Sequence, residues 1–463
     1  MNTRESLSWD SFTGQKVLVF GFGVNGGGLG TVQFLLDTKV ASIVITDMKS
    51  EEELQATKNL LPLDARLQWR LGGHDEADFR AVDIVIKNPG IRWDNQYIKI
   101  AQEQGALVLM DSTIFMALCE APVIGITGSK GKTTTATLVA AILEKASHHV
   151  VRAGVSQIGV LSELSKVTKD SIVVFEFSSW RLAGLAVIEK SPTMAIITNL
   201  YPDHLNYYRS MEEYALDKAS IFTFQDKRGT LVLPRANAWT EYFAARAPGE
   251  ILYTGKDASC EAWQDETRLY MRVDDEESIL LEKKASLLQG EYLFENFLAA
   301  SLITYRYGVS LGVISSTLAT FQGVPHRFEL IRELAGVRYI NDTAATIPSA
   351  TLASVVSITG PVILLAGGSD KGLPLDELVV AIGHAKHTIL FSGTGTDKLQ
   401  GVLTKELKEK TVEVDSMEKA VACAHKQATP GDTVLLAPGA ASFGMFQNEF
   451  DRGDQFRALV LEL

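Results

Sequence analysis

Eight consecutive residues, Thr127-Gly128-Ser129-Lys130-Gly131-Lys132-Thr133-Thr134, carry the clearest chemistry in this chain. They follow an apolar run, Val123 to Ile126, and precede a helix-like run, Ala136 to Leu143. A strand, a glycine loop and a helix in that order can wrap backbone N–H groups around a polyphosphate, and the helix start adds partial positive charge. Lys132 can neutralise the β and γ oxygens, and the hydroxyl of Thr133 or Thr134 can ligate Mg²⁺. The usual first glycine of the motif is replaced by Ile126. The expectation is a chain that uses ATP or GTP, with residues 128–134 around the phosphates.

Two further strand ends carry polar residues suited to the same chemistry. Glu176-Phe177-Ser178-Ser179 closes an apolar strand, and a carboxylate there, beside a phosphate loop, is a natural Mg²⁺ ligand. The competing reading is a helix-capping or turn acid. Asn199-Leu200-Tyr201-Pro202-Asp203-His204-Leu205 follows the strand Met194–Thr198. A lone histidine is more often structural, but His204 shares its loop with Asp203, which favours a site role. Lys218 lies in a helix-like stretch, Met211 to Phe222, and on its own reads as a solvated surface lysine.

Upstream, Gly21-Phe22-Gly23-Val24-Asn25-Gly26 follows the strand Lys16–Phe20, and Asp47 ends the next strand. The pattern is that of a dinucleotide fingerprint. Three readings stay open here: NAD(P), another nucleotide diphosphate, or a structural turn. All three place the same feature, a helix N-terminus, after the loop. Asn88-Pro89-Gly90-Ile91 makes a turn directly after the strand ending at Ile86, where ligands sit in open parallel sheets.

The elements that must position these groups alternate between strand-like and amphipathic helical runs almost throughout, which predicts an α/β protein with parallel sheets. The 463 residues suit about three domains. Punctuation near Leu118–Pro122 and Gly323–His326 sets expected domains at 1–118, 119–324 and 325–463. Hydrophobic residues make up 46% and charged residues 22%, ordinary for a globular protein. The net charge of −12 argues against a nucleic-acid surface. Cys119, Cys260 and Cys423 are far apart and show neither metal nor disulfide spacing. No run approaches the roughly 18 apolar residues of a membrane span. The expectation is a cytoplasmic enzyme, a monomer without nucleic-acid or membrane partners.

TGSKGKTT, EFSS, NLYPDH, Lys218 and Pro325-His326-Arg327-Phe328-Glu329 occur in the order seen in the Mur ligase family. Asn341-Asp342-Thr343, Ala366-Gly367-Gly368-Ser369-Asp370-Lys371 and Ala437-Pro438-Gly439-Ala440-Ala441-Ser442-Phe443 resemble its branch that joins D-glutamate to UDP-N-acetylmuramoyl-L-alanine. The resemblance implies three domains: a Rossmann-like first domain, a central P-loop ATPase-type domain and a Rossmann-like C-terminal domain. It implies UDP in the first domain near Gly21, Gly23, Gly26, Asp47, Lys49 and Asn88, with Ser178 also on the UDP-linked substrate. It implies ATP bound by residues 128–134 with Asn296, Arg327 and Asp342. It implies Mg²⁺ held by Thr133, Glu176, His204 and a Lys218 carbamylated by CO₂, with Lys132, Glu176, His204 and Lys218 as the catalytic set. Thr346, Lys371, Ser442 and Phe443 would form the pocket for the incoming amino acid, D-glutamate or, alternatively, L-glutamate or another acceptor.

Several positions depart from the family pattern. Ala344 stands where a lysine is usual, and Leu293 where an asparagine is. Glu449 replaces an aromatic residue, Trp180-Arg181 stands where glutamine is common after EFSS, and Asp111-Ser112-Thr113 replaces Asp-x-Glu. These changes leave Lys132, Glu176, His204 and Lys218 in place.

Overall fold

Runs of β-branched and aliphatic residues bounded by glycine and polar turns form most strands, and central parallel ones such as Val123–Thr127 and Val362–Gly367 are buried along their whole length. The computed structural model describes residues 7–24, 26–155, 159–204, 207–288, 290–442 and 444–463. The chain divides into two compact units, Met1–Thr320 and Phe321–Leu463.

The first unit holds two sheets. One contains β1 (Lys16–Phe20), β2 (Ser42–Asp47), β3 (Leu67–Leu71), β4 (Ile84–Lys87) and β5 (Leu107–Leu109), in the order β3-β2-β1-β4-β5. All its pairs are parallel. The strand order reverses between β1 and β4, and a ligand crevice is expected at the carboxyl ends of strands where that happens. The other sheet contains β6 (Val123–Thr127), β7 (His149–Ala153), β8 (Ser171–Glu176), β9 (Met194–Ile197), β10 (Thr230–Pro234), β11 (Glu250–Gly255), β12 (Ala262–Gln264), β13 (Arg268–Val273) and β14 (Glu276–Glu282). Its order is β14-β13-β12-β11-β10-β9-β6-β8-β7, so β6 lies between β9 and β8. β13 pairs antiparallel with both β12 and β14, a departure from the α/β rhythm expected almost throughout.

The second unit holds one sheet of β15 (Glu329–Leu334), β16 (Val337–Asn341), β17 (Val362–Gly367), β18 (His387–Phe391), β19 (Thr411–Val414) and β20 (Thr433–Leu436), ordered β15-β16-β20-β17-β18-β19. β15 pairs antiparallel with β16, and the other pairs are parallel. β20 returns between β16 and β17, so the loops after these three strands emerge side by side. Its core is built from Tyr339, Ile363, Leu365, Phe391, Val434 and Phe456.

Element boundaries differ from the sequence expectation in two informative places. The helix after the phosphate loop runs Lys132–Lys145, starting before Ala136, because Gly131 at φ 84° supplies the N-cap and the polar Lys132–Thr134 form its first turn. The helix carrying Lys218 spans Met211–Ala219 and ends before Phe222, with Ser220 as its C-cap.

Candidate active site

The phosphate loop is clamped from the loop after β9. Asn199 accepts from the Lys130 N–H through Oδ1 (2.9 Å) and donates through Nδ2 to the Lys130 carbonyl (3.1 Å). Thr198 Oγ1 donates to the same carbonyl at 2.6 Å, and the Tyr201 N–H donates to Ser129 Oγ at 2.9 Å. A Cβ on Gly131 would lie 2.5 Å from Asn296 Oδ1, so the loop also sits tightly against the helix Glu291–Tyr307. Asn296 accepts from Thr135 Oγ1 at 3.2 Å, which places it beside the phosphate loop. Lys132 Nζ donates to the Gly128 and Ser129 carbonyls at 3.0 and 3.1 Å. Thr133 and Thr134 lie half-buried in the first helical turn, and Lys130 is exposed, its Nζ 3.5 Å from Asp203.

Strand register brings the other groups to this loop. Glu176, the last residue of β8, is paired with Ile126 of β6. β9 pairs with β6 on the other side, Thr127 against Ile197, which delivers the 198–204 loop. His204 adopts φ 54°, a left-handed conformation that is uncommon for a non-glycine residue. Its ring lies 4.8 Å from that of Trp180. Burial lowers its pKa, opposed by Asp203 and reinforced by the charges of Lys218, Lys132 and Lys130, which favours the neutral, ligand-competent imidazole. Lys218 is only 1% exposed. Its Nζ donates to Thr127 Oγ1 (3.2 Å) and the Gly128 carbonyl (3.0 Å), and lies 4.7 Å above the Tyr214 ring. Burial, then the charge of Lys132, pushes its pKa well below the ordinary lysine value. The local reading as a surface lysine does not hold, because the 211–219 helix turns this residue into the phosphate loop.

The reversal point of the first sheet holds a cavity of about 400 Å³. Gly21, Gly23, Lys87, Asn88, Ser178 and Arg181 are among its walls. Gly26, at φ 76°, is the N-cap of the helix Gly27–Leu36. Asp47 braces the loop: it accepts from the Gly23 N–H and the Lys49 N–H, both at 2.8 Å. The Lys49 ammonium pairs with Glu53 at the surface. Asn88 Oδ1 accepts from the Gly90 N–H at 3.1 Å, and Ser178 caps the helix Ser179–Ala183 by accepting from the Arg181 N–H.

In the second unit, Asp342, Lys371 and Ser442 follow β16, β17 and β20, the three strands whose carboxyl ends are adjacent. Asp342 is buried and accepts from the Phe328 N–H (3.0 Å) and the Ser354 hydroxyl, and burial raises its pKa. Lys371 donates to Thr346 Oγ1 at 2.8 Å, which joins two of the expected pocket residues. Ser442 Oγ is buried and has no hydrogen-bond partner among the described residues. Arg327 is exposed beside the bridge between it and Val324. Phe443 lies outside the described residues.

The sequence matches the Mur ligase MurD-like N-terminal domain over residues 15–110, the Mur ligase middle domain over 126–304 and the Mur ligase glutamate ligase domain over 326–440. A UDP-N-acetylmuramoylalanine–D-glutamate ligase from Roseiflexus sp. (strain RS-1) is 39% identical over 96% of this chain and 98% of its own length. The chain belongs to the Mur ligase family. The same-named protein of Borreliella afzelii (strain PKo) is 34% identical over 97% of this chain and 98% of its own. Among solved structures, the MurC of Thermotoga maritima aligns with a TM-score of 0.54 at 17% identity, over 97% of this chain and 99% of that one. A UDP-N-acetylmuramoyl-L-alanyl-D-glutamate–2,6-diaminopimelate ligase aligns with a TM-score of 0.56 at 19% identity, over 83% and 93%. Both support the three-sheet Mur ligase fold. Family membership implies the use of ATP. Among the described residues no helix is long and apolar enough to cross a membrane.

Three features of this Mur ligase escaped the sequence reading. Asn199 was visible only as the first residue of a motif, and its clamp on Lys130 depends on β9 lying next to β6. Arg452, fully buried, donates from Nε to Thr343 Oγ1 (2.9 Å), from Nη2 to the Thr343 carbonyl (3.1 Å) and from Nη1 to the Ala440 carbonyl (3.4 Å). It thereby ties together the two loops that carry Thr346 and Ser442. Arg181, a departure from the family pattern, forms an ion pair at 3.0 Å with Asp111, the residue that the Asp-x-Glu pattern retains.

Proposed function

We propose that this chain joins D-glutamate to UDP-N-acetylmuramoyl-L-alanine in peptidoglycan precursor synthesis, releasing ADP and phosphate. The observation that carries this reading is the phosphate loop itself, bracketed by the strand ends of Glu176 and Asn199–His204 with Lys218 hydrogen-bonded into it. The alanyl carboxylate is a poor electrophile. Its oxygen attacks the γ-phosphorus of ATP, ADP leaves, and an acyl phosphate results. The neutral amine of glutamate then attacks the acyl carbon, phosphate leaves, and the amine surrenders a proton as the amide forms. Positioning and charge neutralisation dominate such transfers. Lys132 supplies the positive charge at the transferring phosphoryl group, and the loop N–H groups hold its neighbours.

The residues fit Mg²⁺. Thr133 offers a hydroxyl, Glu176 a carboxylate and His204 a neutral imidazole. Among the described residues no three His, Cys, Asp or Glu side chains gather into a metal cluster, so further oxygen ligands must come from elsewhere. A carbamate on Lys218 fits that need, because burial lowers the pKa of this amine and the uncharged amine is the form that adds CO₂. The ion would stabilise charge on the phosphates. Gly21, Gly23, Gly26, Asn88 and Ser178 bind the UDP-linked substrate, with Asp47 and Lys49 acting through the loop. Asn296, Arg327 and Asp342 serve the nucleotide, and Thr346, Lys371, Ser442 and Phe443 serve glutamate. These roles divide among domains 1–118, 119–324 and 325–463 of a cytoplasmic monomer.

The test is phosphate release by purified protein with ATP and Mg²⁺, offering each glutamate enantiomer with the UDP precursor. Release with D-glutamate that requires UDP-N-acetylmuramoyl-L-alanine supports the proposal. Release only with L-glutamate would reassign the acceptor, for which Ala344 and Glu449 are the residues to examine.

A further inference from the structure

We infer that Arg181, held side-on by Asp111, is a substrate-binding, specificity-determining residue that takes the carboxylate-bearing arm of the UDP-linked ligand. This rests on the reading that the 400 Å³ cavity holds UDP-N-acetylmuramoyl-L-alanine. Three charged side chains, Lys87, Asp111 and Arg181, belong to the cavity wall. Lys87 is turned into the protein. It is 1% exposed, donates to the Ile91 carbonyl at 2.9 Å and sits 4.6 Å above the Trp93 ring. Burial pushes its pKa down to about 7, so its charge is not permanent. Asp111 gives its oxygens to the Ser112 N–H (2.7 Å) and to Arg181.

Arg181 alone keeps a permanent positive charge in this wall, since a guanidinium does not deprotonate in proteins. Asp111 occupies its Nε and Nη2 edge at 3.0–3.4 Å. Its Nη1 makes no hydrogen bond among the described residues, so one edge of the fork remains for a second oxyanion. The backbone around it is pinned as well. Its carbonyl accepts from Ser112 Oγ at 3.0 Å, and its N–H donates to Ser178 Oγ at 3.3 Å. A side chain fixed in this way loses little freedom on binding.

Its place in the fold selects the arm it binds. The glycine loop, with the helix Gly27–Leu36 behind it, is the part of the wall suited to a diphosphate. Arg181 is on a different element, the helix Ser179–Ala183, which continues from the Glu176 end of β8. A carboxylate that must meet a γ-phosphate at the 127–134 loop has to pass that strand end. A fixed guanidinium there aligns it and discriminates against ligands that lack it.

The experiment is titration calorimetry on the full-length protein, wild type and variants, with UDP and with UDP-N-acetylmuramoyl-L-alanine, alongside KM for ATP. Arg181→Ala should weaken the muramoyl ligand about 10- to 100-fold while UDP affinity and the ATP KM stay within about twofold. Arg181→Lys keeps a cation for Asp111 and should weaken the muramoyl ligand about 3- to 10-fold, which provides a reading if the alanine variant misfolds. Unchanged affinity for the muramoyl ligand in a folded variant overturns the inference. So does an equal loss for UDP and the muramoyl ligand, which would make the pair a scaffold or a diphosphate ligand. Wild-type protein that binds UDP no more weakly than the muramoyl ligand also overturns the carboxylate contact. Wild-type protein that binds neither instead sinks the reading of the cavity.

Discussion

The chain contains two glycine loops built on the same backbone plan and equipped for different tasks. Each follows a central parallel strand, β1 or β6, and each ends in a left-handed glycine N-cap, Gly26 at φ 76° and Gly131 at φ 84°. The first is organised by an acid: Asp47 accepts the Gly23 N–H, and the nearby Lys87 is buried away from it. The second is organised by amides and carries its own cation: Asn199 grips Lys130, while Lys132 and Lys218 both donate to the Gly128 carbonyl. A loop that only holds a diphosphate needs N–H groups and shape. A loop that cleaves a triphosphate also needs positive charge where negative charge develops. The comparison locates the chemistry in the side chains around the loop, since the backbone plan is shared.

The predictions test that contrast from its strongest point downward. Lys132→Ala should lower kcat by roughly 100-fold or more, the scale expected for removing charge stabilisation from a transition state. Steady-state phosphate release measures it, and a loss under about tenfold would put the chemistry elsewhere. Lys218→Ala should be nearly inactive and partly restored by millimolar formate or acetate; inactivity without rescue would argue against a carbamate. Mass spectrometry of the native protein supplies an activity-independent check on that adduct. Next come the two organisers. Asn199→Ala should raise the ATP KM about tenfold and leave the UDP-precursor KM unchanged, and Asp47→Ala should do the reverse at about threefold, each having lost hydrogen bonds that shape one loop. Cross-effects of equal size would erase the division of labour.

The last expected effect is on stability and not on turnover, and concerns Lys87. Its pKa falls from 10.5 to about 7 on folding, chiefly through burial. The unfolded chain therefore holds this proton more tightly than the folded one. The destabilisation is full below pH 7, shrinks as pH rises and is gone above pH 10.5. Lys87→Met should therefore stabilise the protein by about 2–3 kcal/mol below pH 7 and by little near pH 10, read from denaturant melts across pH. UDP affinity should not change, because this amine is turned away from the ligand.

Most of the first loop's position and nearly all of the second's were legible in sequence, because strand, glycine turn and helix are local patterns with known periods. Glu176 and His204 were legible as strand-end residues. Lys218 was not legible from its surroundings: a helix lysine looks solvated until the packing of the 211–219 helix is known. Asp47 was legible as the end of the second strand, but its hydrogen bonds to the Gly23 and Lys49 N–H groups depend on coordinates. Asn199, Arg452 and the Asp111–Arg181 pair were invisible as partners. Each acts across a gap of roughly 70 residues or more in sequence, closed only by strand order and helix packing. The antiparallel β12–β14 segment was missed because Arg268–Val273 and Glu276–Glu282 carry charged residues and lack the apolar runs of the parallel strands.

The central claim is that the triphosphate held by residues 127–134 activates a carboxylate delivered from the first loop's cavity. Isotope transfer tests it most directly. UDP-N-acetylmuramoyl-L-alanine labelled with ¹⁸O in its carboxylate should pass one labelled oxygen to the inorganic phosphate released with ADP, detected by mass spectrometry. Unlabelled phosphate formed alongside the amide product would contradict an acyl phosphate and, with it, this account of how the two loops cooperate.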